Sequence, residues 1–259
     1  MGGQRTVILL AADQVGLQIS QFLAGRRDPI DWLILDRSNR GGCNDAIRQA
    51  VTGAATRIEM AESLNDGAFV SELAAARPRL GVLAWWPHLV KGPLLNVPEL
   101  GWLNLHPGYL PYNRGKHPNF WCLVDGTPCG AALHFIDRGV DTGPVIARAR
   151  IETGWEDTGE TVHRKCRELA VQLFKQNFDA VMRGSARPAP QLLSEGTGHR
   201  SGGIETASEI DLDRTYTARQ LLNVMRARMF PPHPSAFFRD GDKTYSVKVI
   251  IEERDRGGA

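Results

Sequence analysis

Cysteine is scarce in this sequence, and nothing in its spacing suggests a ligand set. The four residues, Cys43, Cys122, Cys129 and Cys166, form no Cys-x-x-Cys pair and no metal-binding spacing with histidine. That excludes a small disulfide-framework scaffold and a zinc module. Free thiols in a reducing cytosol are the simplest expectation, with no metal. Long hydrophobic runs are missing too. The longest near the N-terminus, Val7 to Ala12, stops at Asp13 and is too short for a secretory h-region or a membrane span. No membrane partner and a cytoplasmic location are therefore expected. Neither sign of charge accumulates: 31 Lys and Arg stand against 29 Asp and Glu. Without a basic stripe, nucleic acid is not an expected partner. There is no internal repeat. The one glycine-rich stretch, Gly196 to Gly202, lacks the G-x-G-x-x-G spacing and follows no strong strand, so it reads as linker.

What is present is ordinary globular composition, 42% hydrophobic and 23% charged over 259 residues, enough for one large domain or a domain with an appendage. Four apolar runs, Thr6 to Ala11, Ile30 to Asp36, Leu80 to Trp85 and Gly101 to His106, read as buried parallel strands. Helical segments separate them: one after Asp13, its plausible N-cap, a short one over Cys43 to Val51, and one over Ala68 to Pro78. This alternation predicts an α/β fold, a Rossmann-like, mostly parallel sheet with helices on both faces. Further strands are expected over Gly130 to Asp137 and Pro144 to Ile151, then a long helix capped at Thr158 or Thr161 and ended by Gly184. The following stretch is rich in Pro, Gly and Ser and marks a boundary near Glu195. Two domains are predicted: residues 1–195, catalytic, and residues 196–259, a small region of one helix and a β-hairpin around the Asp240-Gly241-Asp242 turn.

The segment LNLHPGYLPYNRGKHPNFW, Leu103 to Trp121, runs from a strand into a loop too aromatic for a solvated connector and too rich in proline for a core element. In open α/β sheets ligands bind beyond the carboxyl ends of strands. His106 sits at such an end, Asn104 points to the same strand face, and Asp141 follows another strand within VDTGP. Taken singly, each has a plain structural reading: a solvated histidine, a turn aspartate bonded to its own backbone. Together they suit acyl transfer. An imidazole accepts a proton near neutral pH, a carboxylate orients it, and an amide donates to a developing oxyanion.

The segments NLHPGYLP and HFIDRGVDTGPVI resemble the signature of the formyltransferases that use N10-formyltetrahydrofolate: Asn-x-His-Pro, then Asp-Thr-Gly a few dozen residues on. The resemblance implies N10-formyltetrahydrofolate as co-substrate, no metal, and Asn104, His106 and Asp141 as the catalytic trio. His106, oriented by Asp141, would take a proton from the attacking amine, and Asn104 would stabilise negative oxygen. It further implies a folate pocket at Trp85, Trp86, Pro87 and Val140, with one of the two tryptophans packing under the sheet instead.

The stretch YNRGKHPNFW and the C-terminal RARMFPPHPSAFF are similar to sugar N-formyltransferases of the GDP-perosamine type. That implies formylation of the C4 amine of a nucleotide-linked 4-amino-4,6-dideoxy sugar, GDP-perosamine or dTDP-4-amino-4,6-dideoxyglucose, for O-antigen or other lipopolysaccharide biosynthesis. It also implies Tyr112, Asn113, Arg114 and Lys116 as substrate contacts. The aromatic residues of the loop fit core packing as well as ligand contact. The LAADQ turn carries no glycine until Gly16, which disfavours the small ribonucleotide of the glycinamide relatives. The C-terminal helix and hairpin suit a homodimer contact. The alternatives are formylation of methionyl-tRNA or another amine, and a folate-binding protein without turnover.

Overall fold

The strands form where apolar residues run without interruption. In the computed structural model, which describes residues 6–26, 30–51 and 56–254, every residue of β1 (Val7–Ala11) and β4 (Leu80–Ala84) is buried. They pair in parallel with each other, and β1 pairs likewise with β2 (Ile30–Leu35). With β3 (Arg57–Met60), β5 (Trp102–His106), β7 (Gly130–Phe135) and β8 (Val145–Arg150), they build a seven-stranded sheet in the order β3-β2-β1-β4-β5-β7-β8. The remaining strands are the two-residue β6 (Arg114–Gly115) and β9 (Gly198–His199), which pair with each other, and the hairpin of β10 (Ala236–Asp240) and β11 (Lys243–Val247). The helices are α1 (Asp13–Gly25), α2 (Asn44–Ala50), α3 (Gly67–Ala76), α4 (Pro118–Val124), α5 (Gly159–Met182), α6 (Gly203–Ser208) and α7 (Ala218–Ala227). This is the α/β, mostly parallel architecture that the hydrophobic runs predict.

Alternation along the strands sets the core. Ile8, Leu10, Trp32, Ile34, Leu83 and Trp102 pack with Phe69 and Leu73 of α3 and with Val90, Leu94 and Val97. Gly81 makes room for this cluster, because a Cβ there would strike the Trp102 indole. Phe22 of α1 meets Phe174 and Phe178 edge-on, each with ring centroids 5.9 Å apart. One pairing matters for the site. Strand β7 runs antiparallel to β5, which sets His134 opposite Asn104 and Ala132 opposite His106.

The chain forms two compact units, each from three segments: residues 1–106, 132–148 and 170–191, and residues 107–131, 149–169 and 192–259. The expected single boundary near Glu195 falls close to the start of the last segment. That segment does not stand alone, however: Ile204 and Ala227 share one buried cluster with Phe120, Leu123, Val162 and Cys166.

Three local expectations are corrected. Ala12, not Asp13, occupies the N-cap position of α1, and Asp13 lies in the first turn. The thiols are not all reduced: Cys122 and Cys129 form a disulfide across the turn between α4 and β7, their Cα atoms 5.4 Å apart. Cys43 and Cys166 stay outside it, both buried, and burial pushes the Cys166 thiol up to about 12. The stretch read as linker contains strand β9 and leads directly into α6. The expected cap of α5 is present, with Thr158 and Thr161 exchanging hydrogen bonds between backbone N–H and side-chain hydroxyl. Thr217 and Gln220 close a capping box on α7.

Candidate active site

Asn104 and His106 lie two residues apart on β5 and so share a face. The turn after β7 brings the carboxylate to them. Asp137 Oδ1 accepts from the Gly139 N–H at 2.9 Å and the Thr142 hydroxyl at 2.6 Å. Gln191 Nε2 donates to the carbonyls of Asp141 at 2.9 Å and Gly143 at 2.6 Å. Position 143 must be glycine for this turn to close, since a Cβ would collide with the Phe135 carbonyl. Held from both sides, Asp141 adopts a left-handed backbone, φ +52°, a conformation that aspartate tolerates better than most residues.

The trio converges. His106 Nδ1 lies 3.4 Å from Asp141 Oδ2, and Asn104 Nδ2 donates to Asp141 Oδ1 at 3.3 Å. His106 is 3% exposed, so its imidazole meets the carboxylate away from bulk water. An Nδ1–H turned toward Asp141 leaves Nε2 as the basic position of the ring.

A fourth group belongs here that sequence reasoning missed. His134 Nε2 lies 3.1 Å from Asn104 Nδ2 and 3.5 Å from Asp141 Oδ1. Its Nδ1 faces the Phe135 carbonyl at 2.8 Å. A carbonyl only accepts, so Nδ1 carries the proton; an amide nitrogen only donates, so Nε2 accepts. The tautomer is thereby assigned, and both Asn104 N–H groups are directed, one to His134 and one to Asp141. The available signal was the alternation of GAALHF, but linking His134 to Asn104 requires the antiparallel register. Gln191, which holds the Asp141 turn, gave no signal.

Of the expected folate residues, Trp85 follows β4 directly with φ +63° and is half-buried, two residues past Leu83, which pairs with Asn104. Trp86 packs against the β-sheet core cluster and is the tryptophan expected under the sheet. Its ring meets His88 edge-on at 5.4 Å, and His88 Nε2 in turn lies 2.9 Å from Asp36 Oδ1 at the end of β2. Pro87 is half-buried, while Val140, beside Asp141, is 50% exposed. Trp85, Pro87 and Val140 thus leave apolar surface of the kind a flat ring system needs.

The expected substrate residues lie in the second unit. Tyr112 and Arg114 are half-buried and Lys116 is exposed. Asn113 does not serve as an outward polar contact. It is 1% exposed, its Nδ2 donates to Thr127 Oγ1 at 2.9 Å, its backbone N–H donates to Thr197 Oγ1 at 2.9 Å, and its Oδ1 accepts from Thr197 Oγ1 at 3.3 Å. Asn113 therefore ties the loop down. Arg114 Nε donates to the Thr197 carbonyl at 3.3 Å. The glycine-rich stretch read as linker also anchors this region, because His199 stacks on Trp121 with centroids 3.8 Å apart and pairs with Asp125 at 3.0 Å.

An amide, an imidazole and a carboxylate thus meet at a strand rim, a set of groups chemically suited to acyl transfer. The chain belongs to the formyl transferase family, whose model matches residues 40–177; a second model, the N-formyltransferase dimerization C-terminal domain, matches residues 204–253. A dTDP-4-amino-4,6-dideoxyglucose formyltransferase of Mycobacterium bovis is 32% identical over 152 residues, 58% of this chain and 64% of that protein. A 4-N formyltransferase from Francisella tularensis superposes with a TM-score of 0.83 at 21% identity, covering 98% of this chain and 100% of that one. An N-formyltransferase from Helicobacter canadensis, solved with folinic acid and dTDP-3-aminofucose, superposes with a TM-score of 0.67 at 14% identity over 87% of this chain and 81% of that one. The chain spans 57–64% of the length of the first curated relatives, among them methionyl-tRNA formyltransferases 28% identical to it. Among the described residues, no helix is long and apolar enough to cross a membrane.

Proposed function

We propose that this protein transfers a formyl group from N10-formyltetrahydrofolate to the amine of a nucleotide-linked amino sugar. The observation that carries the reading is the convergence of Asn104 and His106 on Asp141 at 3.3 and 3.4 Å. Trp85, Pro87 and Val140 are the residues that would hold the folate, which supplies the formyl group when bound. His106 Nε2 takes the proton that the attacking amine must lose, and Asp141 stabilises the resulting imidazolium and keeps Nδ1 protonated. Asn104 supplies the donor for the negative oxygen that develops during acyl transfer. Its N–H groups already serve His134 and Asp141, so one bond must yield; the bond to Asp141 is the longer and the more readily exchanged.

The acceptor is a 4-amino-4,6-dideoxy sugar, GDP-perosamine or dTDP-4-amino-4,6-dideoxyglucose. This choice is supported by the mycobacterial relative's substrate and by the loop resemblance at Tyr112 to Trp121. The matched dimerization domain supports a homodimer. The 28% identity to methionyl-tRNA formyltransferases over 76% of this chain favours a second reading, formylation of methionyl-tRNA. A panel of aminosugar nucleotides and methionyl-tRNA, each incubated with N10-formyltetrahydrofolate and followed by mass spectrometry, decides between them. The expected result is the mass of one formyl group gained by an aminosugar nucleotide. Gain by methionyl-tRNA alone would overturn the sugar assignment, and no formylation of any acceptor would overturn the activity.

A further inference from the structure

The segment RPAPQ, Arg187 to Gln191, follows α5 and runs back along the chain that leaves the Asp141 turn. A proline after each of Arg187 and Ala189 disfavours helix at both and presets extended backbone. Ala189 uses that backbone: its N–H donates to the Val145 carbonyl and its carbonyl accepts from the Val145 N–H, each at 2.8 Å. Two residues on, Gln191 Nε2 reaches the turn itself, at the carbonyls of Asp141 and Gly143. Pro188, Ala189 and Pro190 are exposed, so these four hydrogen bonds, rather than apolar burial, hold the segment to the turn. The turn needs holding. Gly139 and Gly143 give it a permissive backbone, and the left-handed Asp141 persists only where its surroundings over-determine it. The Gln191 amide can face only one way. Both of its neighbours are acceptors, so the nitrogen meets them and Oε1 is left buried without a hydrogen-bond partner. The oxygen gains nothing from this arrangement, so the two donations set the orientation.

We propose that Gln191 is a positioning residue for formyl transfer: by holding the carbonyls of Asp141 and Gly143, it keeps the Asp141 carboxylate against His106 and Asn104. The proposal rests on the formyl-transfer reading of the site. The two bonds straddle Thr142 and so fix the peptide planes on both sides of that residue. Without them the plane after Asp141 is free to turn. The carboxylate then swings away from His106 Nδ1 and Asn104 Nδ2, now 3.4 and 3.3 Å from its oxygens. The imidazole loses the acceptor that keeps Nδ1 protonated and Nε2 basic. The near half of the turn stays in place, because Asp137 still accepts from the Gly139 N–H and the Thr142 hydroxyl. Loss of the Gln191 amide therefore loosens the turn without unfolding it.

Gln191→Met keeps the side-chain length and removes both donors; Gln191→Glu keeps the shape and, when ionised, donates nothing. Each should lower kcat about tenfold with little change in KM for either substrate, since orientation rather than binding is lost. Thermal midpoints establish that both variants fold. In a double-mutant cycle with Asp141→Asn, Gln191→Met should add little further loss, because its effect passes through the carboxylate. Unchanged kcat in both variants, a loss confined to KM, or a loss that adds in full to that of Asp141→Asn overturns the proposal. Heteronuclear NMR of the neutral His106 ring gives a readout free of turnover, its signals identified by their disappearance in His106→Gln. The wild type should show the Nδ1–H tautomer and Gln191→Met a mixture of the two. Identical tautomers in both proteins overturn the positioning role whether or not formyl transfer occurs. A wild type that formylates no acceptor overturns instead the reading of the site on which the proposal rests.

Discussion

Asn104 of β5 and His134 of β7 face each other across an antiparallel pair, the amide donating to the ring nitrogen at 3.1 Å. The contact ties the orientation of a proposed oxyanion donor to the tautomer of a nearly buried imidazole, itself set by the Phe135 carbonyl. Replacing His134 with alanine releases the amide to rotate. The expected effect is a fall in kcat of about tenfold or more with little change in KM, since orientation rather than binding is lost. Steady-state kinetics checks this, and a rise in KM with kcat unchanged would contradict it.

Asn104→Ala removes the donor itself. One oxyanion donor contributes about 2.7–4 kcal/mol, so formyl transfer should slow on the order of a hundredfold or more. The rate under single-turnover conditions is the measurement, with the thermal midpoint as the control for folding.

Gly143→Ala forces a methyl group against the Phe135 carbonyl. The turn that presents Asp141 then has to open, and the loss should resemble that of Asp141→Asn. Comparing the rates of the two variants is the check; near-normal activity in Gly143→Ala would show that the turn tolerates displacement.

The pH dependence of stability should carry a signature of Asp157. Burial opposes its charge, but hydrogen bonds from Lys165, the Gly154 N–H and Thr161, with the Lys165 charge 2.8 Å away, hold it below the usual carboxylate range. A depressed folded-state pKa stabilises the fold above the unfolded value of about 3.9 and loses that contribution as pH falls through the folded value. Asp157→Asn should therefore cost about 2 kcal/mol near neutral pH, with the difference shrinking below about pH 4. Urea unfolding at several pH values measures it.

Breaking the Cys122–Cys129 bond should lower stability by about 2 kcal/mol, the chain-entropy value for so short a loop. Thermal unfolding with and without dithiothreitol tests this. Cys122→Ser should show the lower midpoint in both conditions.

Much of this was legible in the residues. The strands that carry the trio are continuous apolar runs, and the period of two alone puts Asn104 and His106 on one face. The parts that were not legible depend on distances across the fold. His134 becomes a partner of Asn104 only once β7 is known to run antiparallel to β5. Cys122 and Cys129 gave no sign of pairing because the turn between them had to be built first. Asn113 looks like a ligand contact because it is polar and sits in a loop, yet it turns inward onto Thr127 and Thr197. Strand β3 escaped notice because Arg57 and Glu59 interrupt its apolar pattern, and its sheet neighbour β2 supplies the order.

The helix Gly159–Met182 begins among residues of one compact unit and ends among residues of the other, and the chain passes between the two repeatedly. No single cut in the gene therefore yields a self-sufficient half. Deleting everything after Glu195 would strip Ile204 and Ala227 from a buried cluster and expose Phe120 and Val162 to water. Grafting the C-terminal segment onto another scaffold would fail for the same reason.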